Sequence, residues 1–301
     1  MDTIGALLYN IELPELVGQY TELTYQNGVY RGACPIHGGS RTSSLCVWDS
    51  HYYCHACGAT GNAIQFYSDM ENLPFYQAVE SLCEKYNISL DDENYQKQKS
   101  VFKENALIAN RYHRNVDKAL DYLKEKRGFN DKMIEEFQLG YDEGGFLNVS
   151  AAGIIIPIQD NYGRIVGFAK RAIGGDSKTP KYKNTTENDV FHKRQLLFNY
   201  HRAIKLIKGT NTLHLVEGPM DVISAHQQGV ACVGYMGASL TKDQIKLLYD
   251  LQILHNGNIT FVLSVDNPDV DETGKKMIVK MRESIMKYAP DLNVCCTVYP
   301  T

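Results

Sequence analysis

Residues 213–235 read Leu-His-Leu-Val-Glu-Gly-Pro-Met-Asp-Val-Ile-Ser-Ala-His-Gln-Gln-Gly-Val-Ala-Cys-Val-Gly-Tyr. The apolar run Leu213–Val216 has strand character and stops at Glu217, and Gly218-Pro219 makes a turn. Helical spacing follows over Met220–Gln228, and a second apolar run spans Ala231–Tyr235. The same alternation continues downstream. Ile259–Val265 and Val294–Val298 are further short apolar runs, separated by helical spacing at Lys242–Leu251 and Gly274–Tyr288. Strands separated by helices of this length are parallel, with the helices packed on the faces of the sheet.

In a sheet of this kind functional groups collect beyond the carboxyl ends of the strands. Glu217 directly follows one strand and Asp266 another, while Asp221 falls in the first turn of the next helix. Asp269 and Asp271 occupy the segment before Gly274. Crowded carboxylates repel one another unless cations neutralise them, and hard carboxylate oxygens are the ligands Mg2+ prefers. A lone Asp after a strand is commonly a turn former or helix cap, and for Asp269 and Glu272 that reading stands beside metal binding. Glu217 differs, because Gly218 and Pro219 already make the turn. A metal-binding or acid–base role is expected for it, in phosphoryl or nucleotidyl transfer.

Upstream, Ile154–Ile158 and Ile165–Ala169 flank Asp160-Asn161-Tyr162-Gly163 and predict a hairpin. Helical spacing runs over Asn105–Arg127 to Gly128 and over Asp131–Phe137. Residues 89–100 are polar, without core positions, and mark a linker. Before them, helices are expected at Leu13–Leu23, Ala63–Met70 and Phe75–Tyr86, with short strands at Tyr30–Arg31, Leu45–Trp48 and Tyr52–Tyr53.

Those strands surround two ligand pairs, Cys34-Pro-Ile-His37 and Cys54-His-Ala-Cys57. A two-residue gap lets both side chains of a pair reach one ion, and two pairs close the tetrahedral shell of a structural zinc site. His55 and His51 lie close enough to stand in for His37 as the fourth ligand. Cys46, Cys83, Cys232, Cys295 and Cys296 lack a partner at ligand spacing and are expected as ordinary thiols. With eight cysteines and no export signal, a reducing cytoplasmic setting is expected.

The 301 residues are 44% apolar and 22% charged, enough for two or three folded units. No apolar run approaches the roughly 20 residues needed to cross a bilayer, so no membrane association is expected. The net charge of −4 conceals a division. Residues 160–210 carry eleven Lys or Arg against four Asp or Glu, and residues 211–273 carry two against eight. A basic block thus precedes the acidic one.

Taken together, the motifs resemble the DnaG-type DNA primase family, and a phage or mobile-element member of it. CPIH and YYCHACGATGNAIQF are similar to its CHC2 zinc module, and YLKEKRGFNDKMIEEFQLGY to the opening of its polymerase domain. GIIIPIQDNYGRIVGFAKR and PKYKNTTENDVFHKRQLLFN resemble its basic core. LVEGPMDVISAHQQGV, GASLTKDQIKLL and DNPDVDETGKK resemble its Toprim fold. The resemblance implies a mixed α+β and α/β chain, an N-terminal zinc ribbon followed by a polymerase core with a Toprim-type parallel sheet flanked by helices. The divisions are a zinc domain over 1–90, a linker over 91–104, a basic subdomain over 105–210 and a Toprim subdomain over 211–301.

It further implies synthesis of short RNA primers from ribonucleoside triphosphates on single-stranded DNA, with one structural zinc and two catalytic Mg2+ or Mn2+ ions, alongside a replicative helicase. Matched by motif, Glu217 and Asp221 are catalytic carboxylates, and Asp266 and Asp271 a metal-binding pair. Arg171, Lys181, Asn184 and Lys193 contact template or nucleotide. The remaining basic residues Lys178, Lys183, Arg194, Arg202 and Lys208 are expected as a solvated face. Trp48, Tyr52, Tyr53 and Phe66 either stack bases or, more commonly, form the small module's core.

Three departures from the family pattern stand out. DNPDVDETG aligns its first acid with either Asp266 or Asp269. Ala152 and Gly153 stand where many members carry an Arg. The sequence stops at Thr301, where the pattern continues with another acidic segment and a helicase-binding region. Two other functions compete: a Toprim nuclease using the same carboxylates, and a catalytically silent zinc-dependent single-strand binder.

Overall fold

The computed structural model describes residues 3–90, 92–175, 179–207, 210–255, 257–264 and 272–297, with side chains in the last segment from 276 onward. Two compact units divide between Ser100 and Val101.

The first unit opens with helices α1 (Thr3–Asn10) and α2 (Leu13–Gly18), then an antiparallel five-stranded sheet. Its strands, in spatial order, are β1 (Leu23–Gln26), β2 (Val29–Gly32), β3 (Leu45–Val47), β4 (Tyr52–Cys54) and β5 (Thr60–Gly61). The helix expected over Leu13–Leu23 therefore stops at Gly18 and gives way to a hairpin. Asn27 and Gly28 both have positive φ, 50° and 83°, which is the backbone a two-residue hairpin turn needs. That dipeptide was a legible signal, and the sequence reading passed over it.

Helices α3 (Ala63–Glu71) and α4 (Phe75–Lys85) cover one sheet face. Asn62 caps α3 by accepting from the backbone N–H groups of Ile64 and Gln65, each at 3.1 Å. Tyr52 and Phe66 meet edge to face with centroids 5.4 Å apart inside this core, so they pack rather than await a base. Helix α5 (Glu93–His113) starts under an Asp92 cap, whose Oδ1 accepts from the N–H of Asn94 at 2.9 Å. Its Tyr95 is buried in the same core, so residues 89–100 do carry a core position. One aromatic ring is enough to dock the first turns of the helix, whose other positions up to Ser100 are polar.

In the second unit the helix expected to reach Arg127 ends at His113. A 3₁₀ turn at Val116–Ala119 and a π turn at Tyr122–Lys126 follow, then α6 (Asp131–Glu136). Val116, Ala119 and Leu123 remain buried in one core, so the apolar spacing persists while the backbone winding changes. An antiparallel sheet orders β6 (Gly140–Asp142), β7 (Gly153–Gln159), β8 (Ile165–Ala172) and β9 (Tyr182–Asn184) side by side. The hairpin of β7 and β8 is present as expected, and Asp160 Oδ1 ties its turn by accepting from the N–H groups of Tyr162 and Arg164. β7 is buried on both faces, which explains its unbroken apolar run.

Helix α7 (Tyr200–Leu206) leads into the third sheet. Its Arg202 is not solvated: it donates to the Glu136 carbonyl and Gln159 Oε1 at 2.7 Å each and lies over the Phe137 ring. The elements then alternate: β10 (Thr212–Val216), α8 (Pro219–Gln227), β11 (Cys232–Gly234), α9 (Lys242–Leu254), β12 (Thr260–Leu263), α10 (Glu272–Tyr288) and β13 (Val294–Cys296). All pairings are parallel, in the order β11-β10-β12-β13. From β10 the chain goes first to one side and then to the other. The carboxyl ends of β10 and β12 thus frame a topological switch point, where such sheets open a crevice.

Candidate functional site

In the first unit, Cys34, His37, Cys54 and Cys57 bring one ligand atom each within 4.8 Å of every other. The Cys34 and Cys57 sulfurs are 3.9 Å apart, as are Cys54 Sγ and His37 Nδ1. A tetrahedral zinc with Zn–S bonds of about 2.3 Å sets sulfur–sulfur edges of about 3.8 Å, so the donors fit the ion. The contact between Cys34 and Cys54 pulls Cys54 down to about 4 and pushes Cys34 up, which burial reinforces. A dication would relieve the crowding by favouring thiolate at all three cysteines. His51 stacks on Trp48 and His55 meets Tyr53 edge to face, so neither stands in for His37. Gly39 belongs to the cradle: a Cβ there would lie 2.3 Å from His37 Nε2.

In the second unit, a cleft of about 490 Å3 opens at the switch point. Glu217, at the end of β10, lines it with Asp221 from the first turn of α8. Gly218 leaves room for the Asp221 carboxylate, since a Cβ at 218 would lie 2.9 Å from Asp221 Oδ2. The Glu217 carbonyl accepts from the N–H of Met236, a residue held at φ 51° that also lines the cleft. Lys181 and Asn184, from strand β9 and the residue before it, also line the cleft. Asp266, Asp269 and Asp271 lie outside the described residues, and so does the choice between Asp266 and Asp269. Lys193 sits on a 3₁₀ turn, apart from the cleft lining.

Arg171 reaches the cleft through other side chains. It donates to the hydroxyls of Tyr122 at 2.6 Å and Tyr182 at 2.8 Å, and its guanidinium lies 5.1 Å from the Tyr182 ring centroid. Arg127 donates to the same Tyr122 hydroxyl through Nε and Nη2, each at 3.0 Å. Burial opposes the charge on Arg171, yet its contacts to the two tyrosines hold its pKa above the ordinary value. Tyr182 lines the cleft and was missed by sequence reasoning, although it sits between the Lys181 and Asn184 of a quoted motif. Ser264, also in the lining, was missed for lack of any signal: its hydroxyl accepts from Thr297 at 2.9 Å and lies 3.3 Å from His214 Nδ1, contacts only the sheet creates. For divalent ions the described donors are the hard carboxylates of Glu217 and Asp221, and one or two carboxylates per ion suit Mg2+.

Comparison with known proteins agrees in the same order along the chain. Residues 1–98 match the CHC2 zinc finger family, 142–204 the N-terminal domain of the DNA primase catalytic core, and 214–299 the Toprim-like family. The DNA primase of Geobacillus stearothermophilus is 31% identical over 297 residues, covering 82% of this chain and 49% of that protein. The DNA primase of Clostridium acetobutylicum is 32% identical over 279 residues, covering 79% and 46%. The crystal structure of the zinc-binding and RNA polymerase domains of the Aquifex aeolicus primase superposes with a TM-score of 0.57 at 25% identity, covering 100% of this chain and 80% of that one. The chain spans about half the length of the relatives it matches. These relatives are bacterial and lend no support to the phage or mobile-element origin expected from the sequence. A zinc finger, primase core and Toprim-like sheet in this order, with full-length structural likeness to a primase, place the chain in the DnaG-type DNA primase family.

Proposed function

We propose that this chain synthesises short RNA primers from ribonucleoside triphosphates on single-stranded DNA, by nucleotidyl transfer at the cleft bounded by Glu217 and Asp221. The observation that carries this reading is the convergence of acid and base. Two carboxylates stand at the carboxyl end of the central parallel strand, and Lys181 and Asn184 line the same 490 Å3 cleft. A nuclease also needs the carboxylates. Polymerisation needs in addition a place for a triphosphate and a base, and Lys181 and Tyr182 supply a cation and an aromatic face.

In this reading Glu217 and Asp221 hold two divalent cations together with the acids of 266–271. Such ions, when bound, stabilise charge on the triphosphate and the departing pyrophosphate. Lys181 neutralises phosphate, and Asn184 hydrogen-bonds nucleotide or template. Arg171 fixes Tyr182 so that its ring faces the reacting nucleotide. Lys193 would meet the template beyond the cleft. The zinc module reads the start sequence on the template, and a replicative helicase is the expected partner in the cytoplasm.

The test is incorporation of labelled ribonucleotides on a library of short single-stranded DNA templates with Mg2+ or Mn2+, comparing wild type with Glu217→Gln. Short RNA from wild type alone supports the proposal. Template degradation would establish the nuclease, and strand retention without turnover the silent binder.

A further inference from the structure

The cleft is lined from two parts of the second unit. Lys181, Tyr182 and Asn184 come from β9 and the residue before it, and Glu217 and Asp221 from the end of β10 and the start of α8. β9 is an edge strand of three residues paired with β8 alone, so its sheet holds Tyr182 by few bonds. The Tyr182 hydroxyl has a further anchor. Arg171 donates to it and also to the Tyr122 hydroxyl, which accepts from Arg127 as well. The Arg127 guanidinium lies 5.4 Å from the Tyr122 ring centroid.

This meeting depends on the π turn at Tyr122–Lys126. In α winding, residues five apart point about 140° away from each other, whereas the i→i+5 winding of a π turn brings them to one side. Two guanidinium groups repel one another, so gathering both on one phenol oxygen is not what stability alone favours. Single π turns concentrate at functional positions, and this one leads to the cleft.

From Arg127 the connection continues into α8. Gly128, the next residue, holds φ 68°, and its carbonyl accepts from Gln227 Nε2 at 2.8 Å. Gln227 Oε1 accepts in turn from the Asn130 N–H at 2.8 Å, so both ends of one amide clamp this turn. Gln227 lies in the last turn of α8 and Asp221 in the first. Met220, Val222 and Ile223 of the same helix share one buried core with Phe129, Met133 and Ile134. The helix that presents Asp221 therefore rests on the segment that follows Arg127. Tyr182, Arg171, Tyr122, Arg127, Gly128 and Gln227 form one connected series, with its two ends on the two elements that line the cleft. Those ends sense each other: burial raises the Tyr182 pKa and the charge of Asp221 adds to it, while Arg171 opposes both.

We propose that Tyr122, Arg127 and Gln227 are positioning residues of the cleft: their hydrogen bonds tie the Tyr182 ring to the helix of Asp221 and so set the spacing between nucleotide and metal. The inference rests on the primer-synthesis reading for what the cleft holds, but not for the tie.

The test is a double-mutant cycle in the full chain, with Tyr122→Phe, which removes only the hydroxyl, and Gln227→Ala at the far end of the series. Ribonucleotide incorporation gives kcat and KM, and the fluorine NMR resonance of a fluorotyrosine placed at position 182 reports on the ring itself. Each single variant is expected to lower kcat about tenfold with KM changed less than about threefold, because a slightly displaced reacting group slows the chemistry more than it weakens binding. The double variant should also lie about tenfold down, since one tie is broken only once, whereas independent losses multiply to about a hundredfold. Arg127→Gln breaks the same link and should match Tyr122→Phe. Gln227→Ala should move the fluorine resonance, and Ser224→Ala, at an exposed position of the same helix, should not. Losses that multiply, or a resonance unmoved by Gln227→Ala in the folded chain, would overturn the tie. KM rising in step with a falling melting temperature would make these residues merely structural and overturn it too. A resonance that moves in a chain incorporating no ribonucleotide would instead sink the primer-synthesis reading and leave the tie standing.

Discussion

The zinc cluster and the acidic cleft each gather ionisable side chains around a place for metal, but they do so at different ranges. Cys34, His37, Cys54 and Cys57 come from two tight turns beside neighbouring antiparallel strands, within 24 residues of sequence. Glu217 and Asp221 are also local to each other, yet the groups that line the cleft with them come from β9 and from the end of β12, some 30 to 50 residues away. The first site is a closed shell of soft donors, and filling it contributes directly to folding. The second is an open crevice of hard donors that the sheet creates whether or not metal is present. Removing a ligand should therefore unfold the first unit and merely silence the second.

The largest effect is expected from Cys54→Ser. Structural zinc supplies about 10 kcal/mol or more of folding free energy in small modules, so the variant should lose its zinc and the order of residues 1–100. Elemental analysis and amide hydrogen exchange read both. Full zinc stoichiometry, or retained protection in that unit, would remove the contrast between the two sites.

Next comes Glu217→Gln, with ribonucleotide incorporation down about 1,000-fold, or about 4 kcal/mol of barrier, at an unchanged melting temperature. A fall in melting temperature comparable to that of the zinc-ligand variant would mean that Glu217 is structural too, and that the cleft resembles the cluster more than its geometry suggests.

This contrast also accounts for what could be read from the sequence. The zinc quartet was legible because its chemistry is written in short spacings, and the parallel sheet because strands and helices alternate without interruption from Leu213. Glu217 was legible because Gly218 and Pro219 left its charge with no turn-making role. Tyr182, Ser264 and Met236 were not legible: each matters only through what the fold sets opposite it. Arg171 was placed near nucleotide by resemblance, but its bonds to Tyr122 and Tyr182 depend on a π turn that no apolar periodicity announces. Buried Lys170 lay in a quoted motif, yet nothing in sequence tells a buried lysine from a solvated one. The Asn27-Gly28 turn was a plain local signal overlooked.

Acid should separate the units by mechanism. In the second unit, burial holds His201 down at about 3, and the charges of Arg202 and Lys205 add to that. Its Nδ1 has no hydrogen-bond partner among the described residues. The unfolded chain binds a proton there below about 6.5 while the folded chain does not, so stability falls as pH drops from about 6.5 towards 3. His201→Gln should remove about 2 kcal/mol of that loss between pH 6.5 and 4.5, seen in denaturant melts of the second unit. The first unit's acid sensitivity, which arises from protonation of thiolate ligands, should be untouched. Parallel acid limbs in wild type and variant would show that His201 gains its proton in the fold after all.

The smallest effect tests how far the zinc shell depends on residues that are not ligands. Gly39 has an ordinary backbone angle, so alanine costs nothing there in backbone strain. Its methyl group would nevertheless fall 2.3 Å from His37 Nε2 and 2.8 Å from Cε1. A free histidine on an exposed turn could swing aside at little cost. One whose Nδ1 faces the three thiols cannot do so without leaving the ion, and three cysteines alone would keep a weakened hold. Gly39→Ala should thus raise the zinc dissociation constant about tenfold, close to 1.4 kcal/mol, with the unit still folded when saturated. Competition with a chromogenic chelator measures it. An unchanged constant would show that His37 binds from a second rotamer, and that the shell's closure rests on the cysteines and their strands.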